Sequence, residues 1–284
     1  MAEAEISREA FRVACVQMCS GLDRKKNTAD ALALIDDAAA RGAVFIATPE
    51  MTNVVDRKAS RLLADLPDES GLFEVQAFAA SAKSNGVWLL AGSFAVKVEQ
   101  SRAANRSFLF SPDGDVVARY DKIHMFDVDL PNGESWKESK VYAPGNGVVV
   151  ARTPVANIGL SICYDVRFPH LYRAMAQAGA DILCVPAAFT RQTGKAHWKT
   201  LLTARAIENG AFVIAPGQGG VHEDGRETYG HSLIIGPWGE VLAESANDAP
   251  GLIFAEIDVQ RAAEARRRIP NLALEHSCEV SIVS

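Results

Sequence analysis

The sequence predicts an α/β fold of four layers, an α-β-β-α sandwich built from an internally duplicated unit in one domain over residues 1–284. Three observations predict it. Short apolar runs alternate with amphipathic helical stretches along the chain. Many of those runs are apolar at successive positions, so the strands need cover on both faces. The second half repeats the element order of the first.

Taken in order, FRVACVQM (11–18) reads as a strand. Residues 23–41 read as a helix with Leu32 and Ile35 on one face and Gly42 just past its end. AVFIATPE (43–50) is a second strand, 72–85 a helix closed by Asn85-Gly86, and VWLLAGSFAV (87–96) a third strand. RSFLFS and DVVARY then flank the turn Pro112-Asp113-Gly114 as a hairpin. The same series follows: strand ANIGLSIC (156–163), helix 168–179, strand DILCVPAA (181–188), helix 195–209 and strand AFVIAPG (211–217). A last hairpin, SLIIG and EVLAES, turns at Pro237-Trp238-Gly239.

The halves also match in detail. GAVFIATPE (42–50) pairs with GADILCVPA (179–187), which sets Pro49 against Pro186. NGVWLLAG (85–92) pairs with NGAFVIAP (209–216), and FLFSPDGDVVAR (108–119) with LIIGPWGEVLAE (233–244). Three matches in one order point to duplication. Two sheets face to face, each with helices outside, satisfy both the repeat and the two-sided burial. A doubly wound dinucleotide fold is the alternative, but neither GxGxxG nor GxxxxGK[ST] occurs.

Composition narrows the function. The chain is 48% apolar and 23% charged with a net charge of −6, which argues against nucleic acid or an anionic membrane as the main partner. No apolar run approaches the ~20 residues that span a bilayer. MAEAEISREA lacks the features of a signal peptide, so the cytoplasm is the expected compartment. The cysteines (Cys15, Cys19, Cys163, Cys184, Cys278) are odd in number and form no CxxC pair, so neither a disulfide framework nor zinc is expected. Cys15 and Cys19, on one strand face about 13 Å apart along the strand, read as buried small residues.

Three polar residues just past strand ends fall at one expected rim, where α/β active sites gather: Glu50, Lys122 and Cys163. Each alone has an ordinary explanation. Together PEMT (49–52), YDKIHMFDVD (120–129) and SICYDVRFP (161–169) resemble the three signatures of the nitrilase superfamily of carbon–nitrogen hydrolases, and the likeness continues through AAFTRQTGKAHWKTLLTARAIEN and YGHSLIIGPWGEV. Within it the chain looks like the Nit branch of amidases. The resemblance implies the α-β-β-α sandwich, no cofactor or metal, and dimers or larger homo-oligomers, with the strand-like EHSCEVSIVS a candidate to pair across an interface.

The resemblance makes Cys163 the nucleophile, Glu50 the general base, Lys122 the second member and Glu138, in KESKVYAPG (137–145), a further glutamate. A free thiol is only a few per cent ionised near neutral pH, so it needs a base or a cation. Lys122 would supply a positive charge nearby, and a helix starting near Phe168 would help favour the thiolate if the turn is tight. The Lys122 ammonium and the Tyr164 N–H would hold the oxyanion, and the products would be a carboxylic acid and ammonia. A cysteine–histidine hydrolase is the competing chemistry, but His124 and His231 read as structural hydrogen-bonders and no GxCxG surrounds Cys163.

Arg167 could grip a substrate carboxylate or tie down its loop, and Phe189 and Thr190 could line the pocket or pack. Trp198 has the spacing of a core residue. GGVHEDGRETYGHS looks more like the branch members acting on deaminated glutathione than those acting on α-ketoglutaramate or α-ketosuccinamate; its His222, Glu223 and Arg226 could contact a longer substrate or be turn residues. N-carbamoyl amino acids are a further substrate class. A catalytically silent binding protein is the alternative of another class.

Overall fold

The computed structural model describes residues 9–131 and 133–283. The first half runs β1 (Phe11–Gln17), α1 (Arg24–Ala40), β2 (Phe45–Ala47), α2 (Ala59–Asp65), α3 (Phe73–Asn85), β3 (Trp88–Glu99), β4 (Arg102–Phe110) and β5 (Val116–Asp121). A small hairpin, β6 (Asp127–Asp129) and β7 (Ser135–Lys137), leads to β8 (Val149–Arg152). The second half runs β9 (Asn157–Leu160), α4 (Pro169–Gln177), β10 (Ile182–Cys184), α5 (Arg191–Asn209) and β11 (Phe212–Ala215). The hairpin β12 (Gly219–Val221) and β13 (Glu227–Tyr229) follows, then β14 (Leu233–Ile235), β15 (Val241–Glu244), β16 (Gly251–Ile257) and α6 (Gln260–Arg268).

The duplication is visible in the strand order. One six-stranded sheet reads β16-β1-β2-β3-β4-β5 and the other β8-β9-β10-β11-β14-β15. In each, three central strands are parallel and the flanking ones antiparallel: Val13 pairs Phe45 and Phe45 pairs Trp88, as Ile158 pairs Ile182 and Ile182 pairs Phe212. Alternation along the first sheet separates its two faces. Val13, Cys15, Phe45, Ala47, Trp88, Leu90 and Leu109 join a core with Ile158, Leu160, Ile182 and Leu233 of the other sheet. Ala14, Val16, Ile46, Leu89, Phe108 and Phe110 face outward, under Ala31 and Ile35 of α1 and Phe78 of α3.

Local signals set the helix ends. Asp23 caps α1, accepting from the N–H of Lys25 at 2.9 Å and of Lys26 at 3.2 Å. Gly86 (φ 64°) and Gly210 (φ 52°) close α3 and α5 in the left-handed conformation. The Thr190 side chain caps α5, which therefore begins four residues before its expected start at 195. The segment 43–50 is strand only over Phe45–Ala47, leaving Thr48–Glu50 beyond the sheet edge. The expected strand 156–163 ends at Leu160, and Cys163 instead opens a 3₁₀ turn. The helices α2 and α6 and the strands β6 to β8, β12, β13 and β16 were not expected. The C-terminal segment 275–283 is exposed and has no strand. Among the described residues no helix is long and apolar enough to cross a membrane.

Candidate active site

The four expected catalytic positions meet at one cavity of about 300 Å³. Glu50 comes from the segment after β2, Lys122 directly follows β5, Glu138 opens a 3₁₀ turn after β7, and Cys163 opens the turn after β9. Matching ends of the two halves thus face each other. Cys163 N–H donates to Pro186 O at 2.9 Å, and Ala188 N–H donates to Glu50 Oε2 at 2.8 Å. Gly92 makes that approach possible: a Cβ there would collide with the Thr48 and Pro49 carbonyl oxygens and crowd Pro186.

Met51 and Cys163 adopt left-handed backbone, φ 54° and 52°. Side-chain-bearing residues rarely occupy that region, and strain of this kind concentrates at functional sites. It turns Cys163 out of the strand direction onto the cavity surface.

The Lys122 ammonium lies 2.8 Å from Glu50 Oε1 and 2.9 Å from both Glu138 oxygens. Lys122 is 2% exposed and Glu50 4%. Burial works against the Lys122 charge, but Glu138 and Glu50 outweigh it and raise its pKa well above the usual lysine value. Burial likewise pushes the Glu50 carboxyl up. The Lys122 charge and hydrogen bonds from Lys122, Cys163 and Asn105 overcome it and hold the group below the usual range. The Cys163 thiol goes the other way. Burial, then the Glu50 charge, push it well above an ordinary thiol, and Lys122 and the Ala188 N–H do not compensate.

These influences favour the thiol form of Cys163, the form from which a general base at Glu50 would take the proton. Two features of the geometry act in the same direction. The turn Cys163–Arg167 stands between the thiol and the start of α4 at Pro169, so no α-helix begins at the sulfur. Lys122 is shared by two carboxylates, and the cluster carries one net negative charge beside the thiol.

Sequence reading missed Asn105. It sits fully buried in β4, donating to Glu50 Oε1 at 2.8 Å and Glu138 Oε1 at 3.4 Å, while its backbone oxygen accepts from Lys122 N–H at 2.9 Å. Its only signal is one amide among the small apolar residues of RAANRSFLF. The Phe126 N–H, at 2.6 Å from Glu138 Oε2, is also unmarked in sequence. Tyr164 N–H donates to nothing among the described residues and lies next in chain to Cys163.

Phe189 and Thr190 line the cavity, though the Thr190 hydroxyl is engaged at the α5 cap. Arg167 is not among the lining residues; its guanidinium lies 5.8 Å from the Tyr164 ring centroid and 5.5 Å from that of Phe189. His222 is buried, bonded to Ser20 O at 2.8 Å and Thr228 Oγ1 at 2.6 Å, and Glu223 accepts from Leu22 N–H at 3.0 Å. Of that segment only Arg226 lines the cavity. His124 Nδ1 is 2.7 Å from Asp165 and its ring stacks on Phe168 at 3.5 Å. The His231 carbonyl accepts from Trp198 Nε1 at 2.8 Å, and Trp198 is 1% exposed, as its helical spacing predicts.

Known proteins share this arrangement of elements. A family model described as carbon–nitrogen hydrolase matches residues 12–267. A protein of Synechocystis sp. named deaminated glutathione amidase is 41% identical over 266 residues, which cover 92% of this chain and 97% of that protein. The crystal structure of the C. elegans NitFhit protein superposes with a TM-score of 0.87 at 32% identity, over 95% of this chain and 66% of that one. The structure of Saccharomyces cerevisiae Nit3, described as a member of branch 10 of the nitrilase superfamily, gives a TM-score of 0.84 at 25% identity, over 95% of this chain and 97% of that one.

Proposed function

The chain belongs to the carbon–nitrogen hydrolase family as an amidase of the nitrilase superfamily, and from that premise we propose that Cys163 is its nucleophile, Glu50 its proton carrier and Lys122 its oxyanion cation. One observation supports this reading above the others: a buried ammonium within 2.9 Å of two carboxylates, lining the same cavity as the Cys163 thiol.

The resting charges define the order of events. Glu50, ionised, takes the Cys163 proton as sulfur attacks the amide carbon, and the C=O electron pair moves onto oxygen. The Lys122 ammonium and the Tyr164 N–H receive that oxyanion; losing one such donor typically slows a reaction about 10²–10³-fold. When the C–N bond breaks, Glu50 returns the proton to the departing nitrogen. Water then enters, gives a proton to Glu50 and attacks the thioester; the C–S bond breaks and the sulfur regains its proton. Glu138 keeps Lys122 charged and fixed, so the lysine never acts as a base.

For the substrate, relatives named deaminated glutathione amidase support deaminated glutathione. Glutathione carries no primary amide, so the leaving group there is the amine of cysteinylglycine and the acyl product is a keto acid. A primary amide such as α-ketoglutaramate would release ammonia. An assay that follows only ammonia would miss the first reaction. Purified protein is given deaminated glutathione and α-ketoglutaramate side by side, and the keto acid formed is quantified with Cys163→Ala as control. Cys163-dependent turnover favouring the glutathione derivative is expected. Preference for α-ketoglutaramate would keep the chemistry and replace the substrate; turnover persisting in Cys163→Ala would overturn the mechanism.

The protein is further proposed to form homo-oligomers. Exposed Val280, Ile282 and Val283 support an uncovered apolar tail, and a monomer in light scattering would remove this reading.

A further inference from the structure

The outer end of the cavity carries a feature that the hydrolytic steps do not use. Trp136, in β7, has two guanidinium groups over its ring: Arg57 at 4.8 Å from the centroid and Arg226 at 4.6 Å. All three residues line the cavity that contains Cys163. They come from three separate segments, and Asp224 ties two of them together. Its Oδ2 accepts from Arg57 N–H at 2.8 Å and its Oδ1 from Arg226 N–H at 2.9 Å.

The carboxylates close by in sequence are committed elsewhere. Asp56 binds Arg61 through two bonds of 2.6 and 2.8 Å, Glu223 accepts from Leu22 N–H, and Glu227 pairs with Arg191 at 3.1 Å. Neither Arg57 nor Arg226 forms an ion pair among the described residues. Two buried donors, Arg226 Nε and Trp136 Nε1, have no hydrogen-bond partner there either. Buried donors are nearly always satisfied. A positive, donor-only surface stacked on an aromatic plane suits a planar anionic acceptor, and guanidinium groups match a carboxylate in geometry.

We propose that Arg226 and Arg57, held against Trp136, form a carboxylate subsite that selects amides bearing a carboxylate remote from the scissile bond. This rests on the amidase reading of the same cavity and assigns to Arg226 the anchoring role that the sequence suggested for Arg167. Deaminated glutathione offers two such groups, one on the keto-acid side and one on the terminal glycine.

The test separates binding from turnover. Deaminated glutathione is titrated into Cys163→Ala, alone and combined with Arg226→Ala, by calorimetry. The Arg226→Ala change should weaken binding about 10–100-fold, the range for a lost hydrogen bond to a charged group, and Arg226→Lys should restore part of it. The titration is repeated with the glycine carboxylate blocked as an amide, then with the keto-acid carboxylate blocked as an ester. The blocked form that no longer senses Arg226 identifies the carboxylate that is held. With Cys163 intact, Arg226→Ala should raise KM for deaminated glutathione and leave kcat within about 3-fold, with a clearly smaller loss of kcat/KM on a small neutral amide. Equal losses on the charged and neutral amides would make Arg226 merely structural and overturn the subsite. So would binding to Cys163→Ala that ignores Arg226 with either carboxylate free. Turnover absent while Arg226-dependent binding persists would refute the catalytic reading and leave the subsite standing.

Discussion

Asn105 Nδ2 lies 2.8 Å from Glu50 Oε1, while its own Oδ1 meets no hydrogen-bond donor among the described residues. The amide therefore gives Glu50 a donor without adding charge. In Asn105→Asp a third carboxylate would face Glu50 and Glu138 around one lysine, and like charge raises proton affinity. In the wild type Glu50 is held below the usual carboxylate range, so it stays ionised well into mild acid. The acid limb of kcat/KM should therefore move to higher pH in Asn105→Asp, and activity at neutral pH should fall about 10–100-fold. A profile that superposes on the wild type would remove Asn105 from the site's electrostatics.

The protonation of Cys163 is directly measurable. Burial and the Glu50 charge push the thiol well up, so the thiolate absorbance difference between wild type and Cys163→Ala should stay flat from about pH 6 to pH 8. In Glu50→Gln the second-largest raising influence disappears while Lys122 remains, and the thiol should ionise at lower pH than in the wild type. Ionisation of the wild-type thiol below pH 7 would contradict both the charge arrangement and the role of Glu50 as first proton acceptor.

The buried cluster also sets a pH window of stability. Glu50 is depressed, so its contribution is complete above the ordinary carboxylate value of about 4.3 and is lost as pH falls through its folded value. Lys122 is raised, so its contribution is complete below about 10.4 and is lost as pH rises through its folded value. Between these limits the cluster contributes fully. Lys122→Met would leave two carboxylates, the Glu50 side chain 5% exposed and that of Glu138 12%, with no counter-charge. Breaking such a pair costs about 3–5 kcal/mol. Urea denaturation should show that loss near pH 7 and a smaller one near pH 4, where the freed carboxylates take up protons. A loss independent of pH would mean that packing, not charge, is the cause.

The two-sheet sandwich was legible because the repeat and the two-sided apolar runs are local features of the chain, whereas Glu50, Lys122 and Cys163 stood out through strand ends together with the family resemblance. Pro49 and Pro186 occupy matching places in the two repeats, and in the fold both lie beside Gly92. The strength of burial at Cys163 was not legible, because it depends on how the segments from both sheets enclose the thiol. Asn105 lies hidden in a strand, and its partners come from segments 55 and 33 residues away. Trp136 belongs to a short hairpin whose strands, DVD and SWK, are too polar and brief to read as sheet. Arg167 was expected either to grip a substrate carboxylate or to tie down its loop; the 3₁₀ turn sets its guanidinium over the rings of Tyr164 and Phe189, which both line the cavity.

Asp165 tests whether the frame of the site can be separated from its chemistry. Its fully buried carboxylate accepts four bonds: Tyr120 OH at 2.7 Å, Ile162 N–H at 2.9 Å, His124 N–H at 3.1 Å and His124 Nδ1 at 2.7 Å. Tyr120 and His124 bracket Lys122, and Ile162 adjoins Cys163, so one side chain locks lysine and nucleophile into a single geometry. Burial and the Asp165 charge push the Tyr120 phenol far up, which keeps it a donor. Asp165→Asn turns one acceptor oxygen into an NH₂ that must face donors. It should cost about 2–4 kcal/mol in denaturant unfolding and lower kcat about 10-fold or more, because small displacements of reacting groups are costly. Tyr120→Phe removes one donor and leaves three, so about 1 kcal/mol and a modest fall in kcat are expected. If Asp165→Asn lost stability but kept its kcat, Lys122 and Cys163 would be held in register by the sheets alone, and Asp165 would be a fold residue with no part in positioning them.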